Sequence, residues 1–90
     1  MNFSRAQIVR SLAGHDKGQL FCVLDTDGEF LILADGKTRR VEKPKRKRAK
    51  HAACAGEFEH PTIEKIRAGE PVRNRELRGA LGVFRSRMEV

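Results

Sequence analysis

Short apolar runs separated by turn residues fill the first half of the chain. Asp27-Gly28 and Asp35-Gly36 are pairs favoured in two-residue hairpin turns, and Pro44 ends the fourth run because proline has no amide hydrogen. The runs predict five strands, over residues 6–12, 19–25, 29–34, 37–43 and 51–55. Strands this short, with a turn after each, predict a mainly β fold: a small sandwich or barrel, for which a meander is the economical topology.

The second half shows helical spacing. Pro61 suits the first turn of a short helix and Gly69 its end, and Asn74 is a favoured N-cap for a second helix. The apolar residues of the second helix fall on one face: Leu77, Ala80, Leu81, Phe84 and Met88. Gly79 and Gly82 each weaken this helix by about 1 kcal/mol relative to alanine, so we expect it to pack on the barrel.

Positive charge is concentrated in one segment. The 90 residues include 19 Lys and Arg against 12 Asp and Glu, a net charge of +7. Residues 37–51, the basic tract, contain nine basic residues and one acidic residue, a net charge of +8. Like-charge repulsion predicts that residues 45–50 stay extended unless a partner orders them. We predict one domain, with the barrel and basic tract in residues 1–56 and the helical extension in residues 57–90.

This charge favours a polyanionic partner: RNA, DNA or an anionic lipid surface. Lipid is disfavoured because stable attachment needs an apolar anchor, and the sequence has neither a lipidation signal nor a Trp-bearing amphipathic segment. The spacing of a helix-turn-helix or zinc finger, typical of DNA-binding proteins, is also missing. Five Phe and no Tyr or Trp offer few platforms for base stacking, which favours contact with the backbone of a structured RNA.

Enzyme, metal and membrane functions have little support in the sequence. A chain of this length has a thin core with little room for a deep pocket, and no Ser/His/Asp set stands out. Cys22 has apolar neighbours and is expected to be buried, while His51 and Cys54 are spaced like two metal ligands but would need His60 as well. No apolar run matches a signal peptide or a membrane span. We expect a cytoplasmic protein with no catalytic residue, cofactor, metal or small-molecule substrate.

A loop bounded by glycines joins the first two predicted strands. Its sequence is Gly14-His15-Asp16-Lys17-Gly18, and the glycines permit a tight loop that leaves the lysine and backbone amides open to phosphate oxygens. The spacing is shorter than that of a nucleotide-binding P-loop. The strand, Gly-x-x-Lys-Gly turn and second strand resemble the KOW motif. Asp35-Gly36 at the next turn and Lys43-Pro44-Lys45 beyond it extend the resemblance, so nearly the whole chain is similar to the small bacterial KOW-domain RNA-binding proteins.

Those proteins are similar in turn to KOW-containing proteins of the large ribosomal subunit. The resemblance implies an SH3-like barrel of the KOW type and RNA contact through the loop and nearby basic residues, with ribosomal RNA as the expected partner and ribosomal proteins as possible further partners. Phe21 stands where many KOW motifs have a third glycine, and we expect it to fill the core. The expected RNA-binding residues are His15, Lys17, Lys37, Arg39, Arg40, Lys43, Lys45, Arg46, Lys47, Arg48 and Lys50.

For some of the basic residues, a structural role without RNA contact is an alternative. His15 is equally well explained as an ordinary turn residue. For Arg75, Arg78 and Arg85, the solvated surface of the second helix is slightly favoured over a second RNA contact. A different class of function also stays open: a protein-interaction adaptor for a translation or transcription factor, in which the basic tract serves only solubility. DNA association is a third hypothesis.

Overall fold

A computed structural model describes residues 3–88; residues 1, 2, 89 and 90, at the ends of the two predicted regions, lie outside the described residues. Five strands form one antiparallel sheet in the order β4-β3-β2-β1-β5. Their bounds are Ile8–Ser11 (β1), Leu20–Asp27 (β2), Phe30–Ala34 (β3), Lys45–Arg48 (β4) and Ala52–Gly56 (β5). A single 3-10 turn joins β4 to β5, and two helices follow, α1 (Pro61–Arg67) and α2 (Asn74–Met88). The fold is therefore mainly β with two helices, as predicted, but the sheet is open, with β4 and β5 as its edges, so the predicted closed barrel is not observed.

The fourth strand does not lie where the sequence predicts it. The expected strand over residues 37–43 is wrong, because the Asp35 carboxylate accepts hydrogen bonds from the Lys37 and Arg39 amides, both at 2.8 Å, and folds the chain into a turn. The expectation that residues 45–50 need a partner to become ordered is also wrong. Residues 45–48 form β4, whose Lys47 pairs with Leu31 of β3.

Apolar residues fill both faces of the sheet. One buried cluster consists of residues of β1, β2, β3 and β5: Val9, Phe21, Val23, Leu31, Leu33 and Ala52. The opposite face packs against the helices, where Ile8, Leu20, Cys22 and Ala34 meet α1 and α2. Phe21 fills the core as expected, and burial raises the pKa of the Cys22 thiol to about 12. From α2 the buried residues are Leu77, Ala80, Leu81 and Phe84, whereas Met88 is 44% exposed.

The two helices begin differently. In α1, Pro61 is the first residue and Gly69 follows the end, as predicted, and the His60 ring accepts a hydrogen bond from the Thr62 amide at 3.2 Å. The prediction that Asn74 caps α2 is wrong. Its side chain instead accepts from the Val41 amide at 2.8 Å and donates to the Glu42 carboxylate. The Asn74 side chain therefore makes tertiary hydrogen bonds instead of the N-cap hydrogen bond that the local sequence predicts.

Candidate nucleic-acid interface

The glycine-bounded loop connects β1 to β2, which gives the strand, loop and strand order that the sequence predicts. Gly14 and Gly18 have φ angles of +85° and +90°, values that favour glycine. The Gly18 amide donates to the Ser11 carbonyl at 2.8 Å and closes the loop at its base. Lys17 is exposed in this loop.

Asp16 points inward and anchors the loop to β4. Its carboxylate accepts hydrogen bonds from the Ser11 hydroxyl at 2.7 Å, from the Lys47 ammonium at 3.4 Å and from the Lys45 ammonium. Lys47 also donates to the Ala13 carbonyl at 2.9 Å. Burial alone raises the pKa of Asp16, but the hydrogen bonds from Lys45 and Ser11 and the charges of both lysines outweigh it and lower the pKa to about 2. Asp16 is therefore ionised at neutral pH and holds two cations of the basic tract.

The cations of β4 point in opposite directions, because side chains alternate along a strand. Lys47 is buried on the core side of β4 with its side chain only 8% exposed, whereas Arg46 and Arg48 lie on the other side of the strand. There the two guanidinium carbons lie 4.1 and 4.9 Å from the centre of the Phe30 ring. Arg46 pairs with Asp27 at 3.0 Å and Arg48 with Glu29 at 3.6 Å. Four cations and three carboxylates leave β4 and its partners with a net charge of +1.

A groove lies between the glycine-bounded loop, the turn over residues 35–39 and α2, and its cations, unlike those of β4, are mostly unpaired. It consists of three adjoining depressions of about 370 to 380 Å³, all lined by Gln19. Six cations line it: Lys45, which pairs with Asp16, and five others, Arg10, Lys37, Arg39, Arg78 and Arg85. Within residues 3–88 none of these five forms an ion pair. Asp35 is the one carboxylate in the groove besides the lysine-bound Asp16, so the five cations leave a net charge of +4 there. We call this surface the cationic groove.

Hydrogen bonds join the three walls of the cationic groove. Gln19 donates to the Thr38 hydroxyl at 3.4 Å, Arg10 donates to the Gly18 carbonyl at 2.7 Å, and Arg78 donates to the Gly36 carbonyl at 2.9 Å. The turn lies so close to α2 that a Cβ atom on Gly36 would be 2.4 Å from the carbonyl oxygen of Asn74. Only glycine permits this approach, which sets Arg78 and Arg85 beside the turn.

The structure brings together only some of the residues predicted to bind RNA. Four of the eleven line the cationic groove, namely His15, Lys37, Arg39 and Lys45. Arg40 pairs with Glu42, Lys43 is exposed in the next turn, and Lys50 lines a separate depression beside Glu29. Lys17, Arg46, Lys47 and Arg48 do not line the groove.

Five groove residues are absent from the predicted RNA-binding set: Arg10, Gln19, Thr38, Arg78 and Arg85. For Arg78 and Arg85 the sequence leaves a second RNA contact open but slightly favours the solvated surface of the helix. Arg78 and Arg85 are seven residues apart, which places them on the same side of a helix, two turns from each other. That spacing was a signal, but it does not say what lies beside the helix. Arg10 and Gln19 gave no signal, because each stands alone among apolar or turn residues.

Within residues 3–88 no three His, Cys, Asp or Glu side chains are grouped as ligands of a metal ion would be. No helix in this part of the chain is both long and apolar enough to span a bilayer. No protein-family model matches the sequence, and no curated protein is significantly similar to it. The resemblance to the KOW motif therefore stays a prediction.

Proposed function

We propose that the chain is a KOW-type RNA-binding module, with an open sheet related to the SH3-like barrel, whose cationic groove binds the phosphate backbone of a structured RNA. The single observation that carries the proposal is the set of five cations on one surface that have no acidic partner within residues 3–88. The KOW resemblance favours ribosomal RNA as the partner.

The groove suits phosphate in its chemistry as well as its charge. Four of its five unpaired cations are arginines, whose planar guanidinium groups donate two parallel hydrogen bonds to a phosphate. Arg10 and Arg78 are already held by backbone carbonyls, so less side-chain freedom is lost when they bind a ligand. The remaining acid, Asp35, accepts hydrogen bonds from its own turn and is 9% exposed. Its single negative charge is outnumbered by the five unpaired cations of the groove.

Only part of the basic tract takes part in the proposed contact. Lys47 is committed to Asp16 inside the protein, and Arg46 and Arg48 face away from the core side of β4. The expected participants are therefore Arg10, Lys37, Arg39, Arg78 and Arg85, with His15 and Lys45 at one end of the groove.

Salt dependence tests the proposal. If five phosphates are neutralised, the logarithm of the affinity for a folded ribosomal RNA fragment falls with the logarithm of salt concentration at a slope of about −3.5 to −4.5. The double substitution Arg78→Gln/Arg85→Gln removes two contacts, so we expect the magnitude of the slope to fall by about 1.4 to 1.8. Glutamine removes the charge and keeps a polar side chain.

Arg73→Gln/Arg75→Gln is the matched control, because it removes the same charge from exposed residues at the start of α2 that do not line the groove. We expect this control to keep the wild-type slope. An equal decrease in both double variants would show that net charge rather than the groove determines binding, and would overturn the proposal. A wild-type protein whose affinity for RNA does not depend on salt would also overturn it and would favour the adaptor function.

A further inference from the structure

Two uncharged polar side chains lie in the middle of the cationic groove. Gln19 lines all three depressions and Thr38 lines two of them. Beyond them, one end of the groove contains His15 and Arg39 and the other contains Arg10 and Arg85. A ligand that fills the groove therefore meets cations at both ends and hydrogen-bonding groups between them.

The hydrogen bonds that Gln19 and Thr38 make within the protein leave atoms of the Gln19 amide free to bind a ligand. The Thr38 hydroxyl donates its proton to the Asp35 carboxylate at 2.6 Å, so its oxygen must accept the bond from the Gln19 amide nitrogen. This fixes the orientation of the Gln19 amide. Within residues 3–88 the Gln19 side-chain oxygen then has no hydrogen-bond donor, and the amide nitrogen has a second hydrogen to offer. Gln19 can thus both accept from and donate to a ligand hydroxyl.

The groove offers little aromatic surface on which unpaired bases could stack. Among residues 3–88 its aromatic lining residues are the exposed His15 at one end and Phe21, which is fully buried; the chain contains no Tyr or Trp. Single-stranded nucleic acids are bound largely by stacking on aromatic rings, so this composition disfavours them. A base-paired ligand, which presents its backbone, fits better.

The minor groove of A-form RNA has the complementary pattern. It is wide and shallow, and it displays ribose 2′-hydroxyls between the phosphates of the two strands. A 2′-hydroxyl both donates and accepts, as Gln19 requires, and DNA has no such group. A protein that contacts this hydroxyl can distinguish the two nucleic acids.

We infer that Gln19 and Thr38 contact ribose 2′-hydroxyls of an RNA duplex whose minor groove faces the site, while the cations at either end contact phosphates of the two strands. The inference rests on the proposed function and names its substrate class: double-stranded A-form RNA. Gln19 and Thr38 are then the residues that determine the preference for RNA over DNA.

The test compares an RNA and a DNA duplex of the same sequence and of about 16 base pairs, by fluorescence anisotropy at the same series of salt concentrations for both. We expect the wild type to bind RNA about tenfold more tightly. In Gln19→Met/Thr38→Val the ratio of the two affinities falls to about threefold or less, and the salt slope stays unchanged because no charge is altered. The control Gln7→Met/Thr26→Val makes the same chemical changes outside the groove and keeps the preference for RNA.

Each other outcome has a distinct meaning. Equal wild-type affinity for the two duplexes, an unchanged preference in the double variant, or tighter binding to single-stranded RNA overturns this inference and leaves the proposed phosphate contact standing. Failure to bind any RNA, including the ribosomal fragment, overturns the proposed function itself. Because Thr38→Val removes a hydrogen bond to Asp35, circular dichroism checks its fold, and the single substitution Gln19→Met, which keeps that bond, must lower the preference in the same direction.

Discussion

The strand β4 and the cationic groove contain similar numbers of cations but differ in what surrounds them. Lys45–Arg48 is the densest run of positive charge in the sequence, yet Asp16, Asp27 and Glu29 pair with its side chains. The five unpaired groove cations are scattered between Arg10 and Arg85 along the chain and have only Asp35 among them. The charge available to a ligand therefore depends on which carboxylates fold against each cation and not on how closely the cations follow one another in sequence.

The largest expected effect concerns the paired region. Asp16→Asn leaves the buried Lys47 ammonium without a counter-charge, and we expect the free energy of unfolding to fall by about 3 to 5 kcal/mol. Urea denaturation followed by circular dichroism measures this. Should the variant be unfolded at 25 °C, Asp16→Asn/Lys47→Met restores folding, because it removes the unpaired charge as well.

Asp27→Asn is the matched control. Asp27 pairs with Arg46 at the surface, where the two side chains are 65% and 57% exposed, so its loss changes the free energy of unfolding by less than about 1 kcal/mol. Similar losses in the Asp16 and Asp27 variants would contradict the distinction between a buried and an exposed pair.

A smaller effect is expected from pH. The pKa of Asp16 is about 2 in the folded protein against an ordinary value of 3.8, so the unfolded chain takes up this proton first as the pH falls. The stabilisation by ionised Asp16 is complete well above pH 3.8 and is lost as the pH falls towards 2. We expect the wild type to lose about 2 kcal/mol more than Asp16→Asn between pH 5 and pH 2.

Denaturation curves of both proteins across this pH range give the difference. Glu42 and Glu76 also have lowered pKa values, through hydrogen bonds from Asn74 and Lys65 respectively, but they are present in both proteins and cancel. Parallel pH profiles would mean that Asp16 is not the residue responsible.

The smallest effect is expected from the exposed side of β4. Arg46→Gln/Arg48→Gln removes two contacts with Phe30 and two surface ion pairs, so the free energy of unfolding falls by about 1 kcal/mol or less. RNA affinity stays within about twofold of wild type, because these side chains face away from the core side of β4 and neutralise no phosphate. A decrease as large as that of Arg78→Gln/Arg85→Gln would show that β4 also binds RNA.

Features governed by local chemistry were predictable from the sequence. The glycine-bounded loop, the start of α1 at Pro61 and the burial of Cys22 follow from backbone conformation and apolar spacing over a few residues. The first Asp-Gly pair marks a hairpin turn, although the turn residues are Gly28 and Glu29, one position later than predicted, because Asp27 pairs with Phe30 in the sheet. What the sequence predicted wrongly at the start of α2 depends on contacts between residues that lie far apart in the chain. Asn74 binds Val41 and Glu42 instead of capping α2, because its partners are more than thirty residues away.

The sequence by itself determined a small, strongly basic, mainly β protein with two C-terminal helices, since glycine, proline and apolar periodicity act over short distances. Only the tertiary structure decided which cations face outward together. Strand alternation sends neighbouring residues of β4 to opposite sides, and the close approach of Gly36 to α2 brings Arg78 and Arg85 beside the loop. Coulomb attraction acts through space, so a carboxylate that pairs with a cation is found only once the chain has folded.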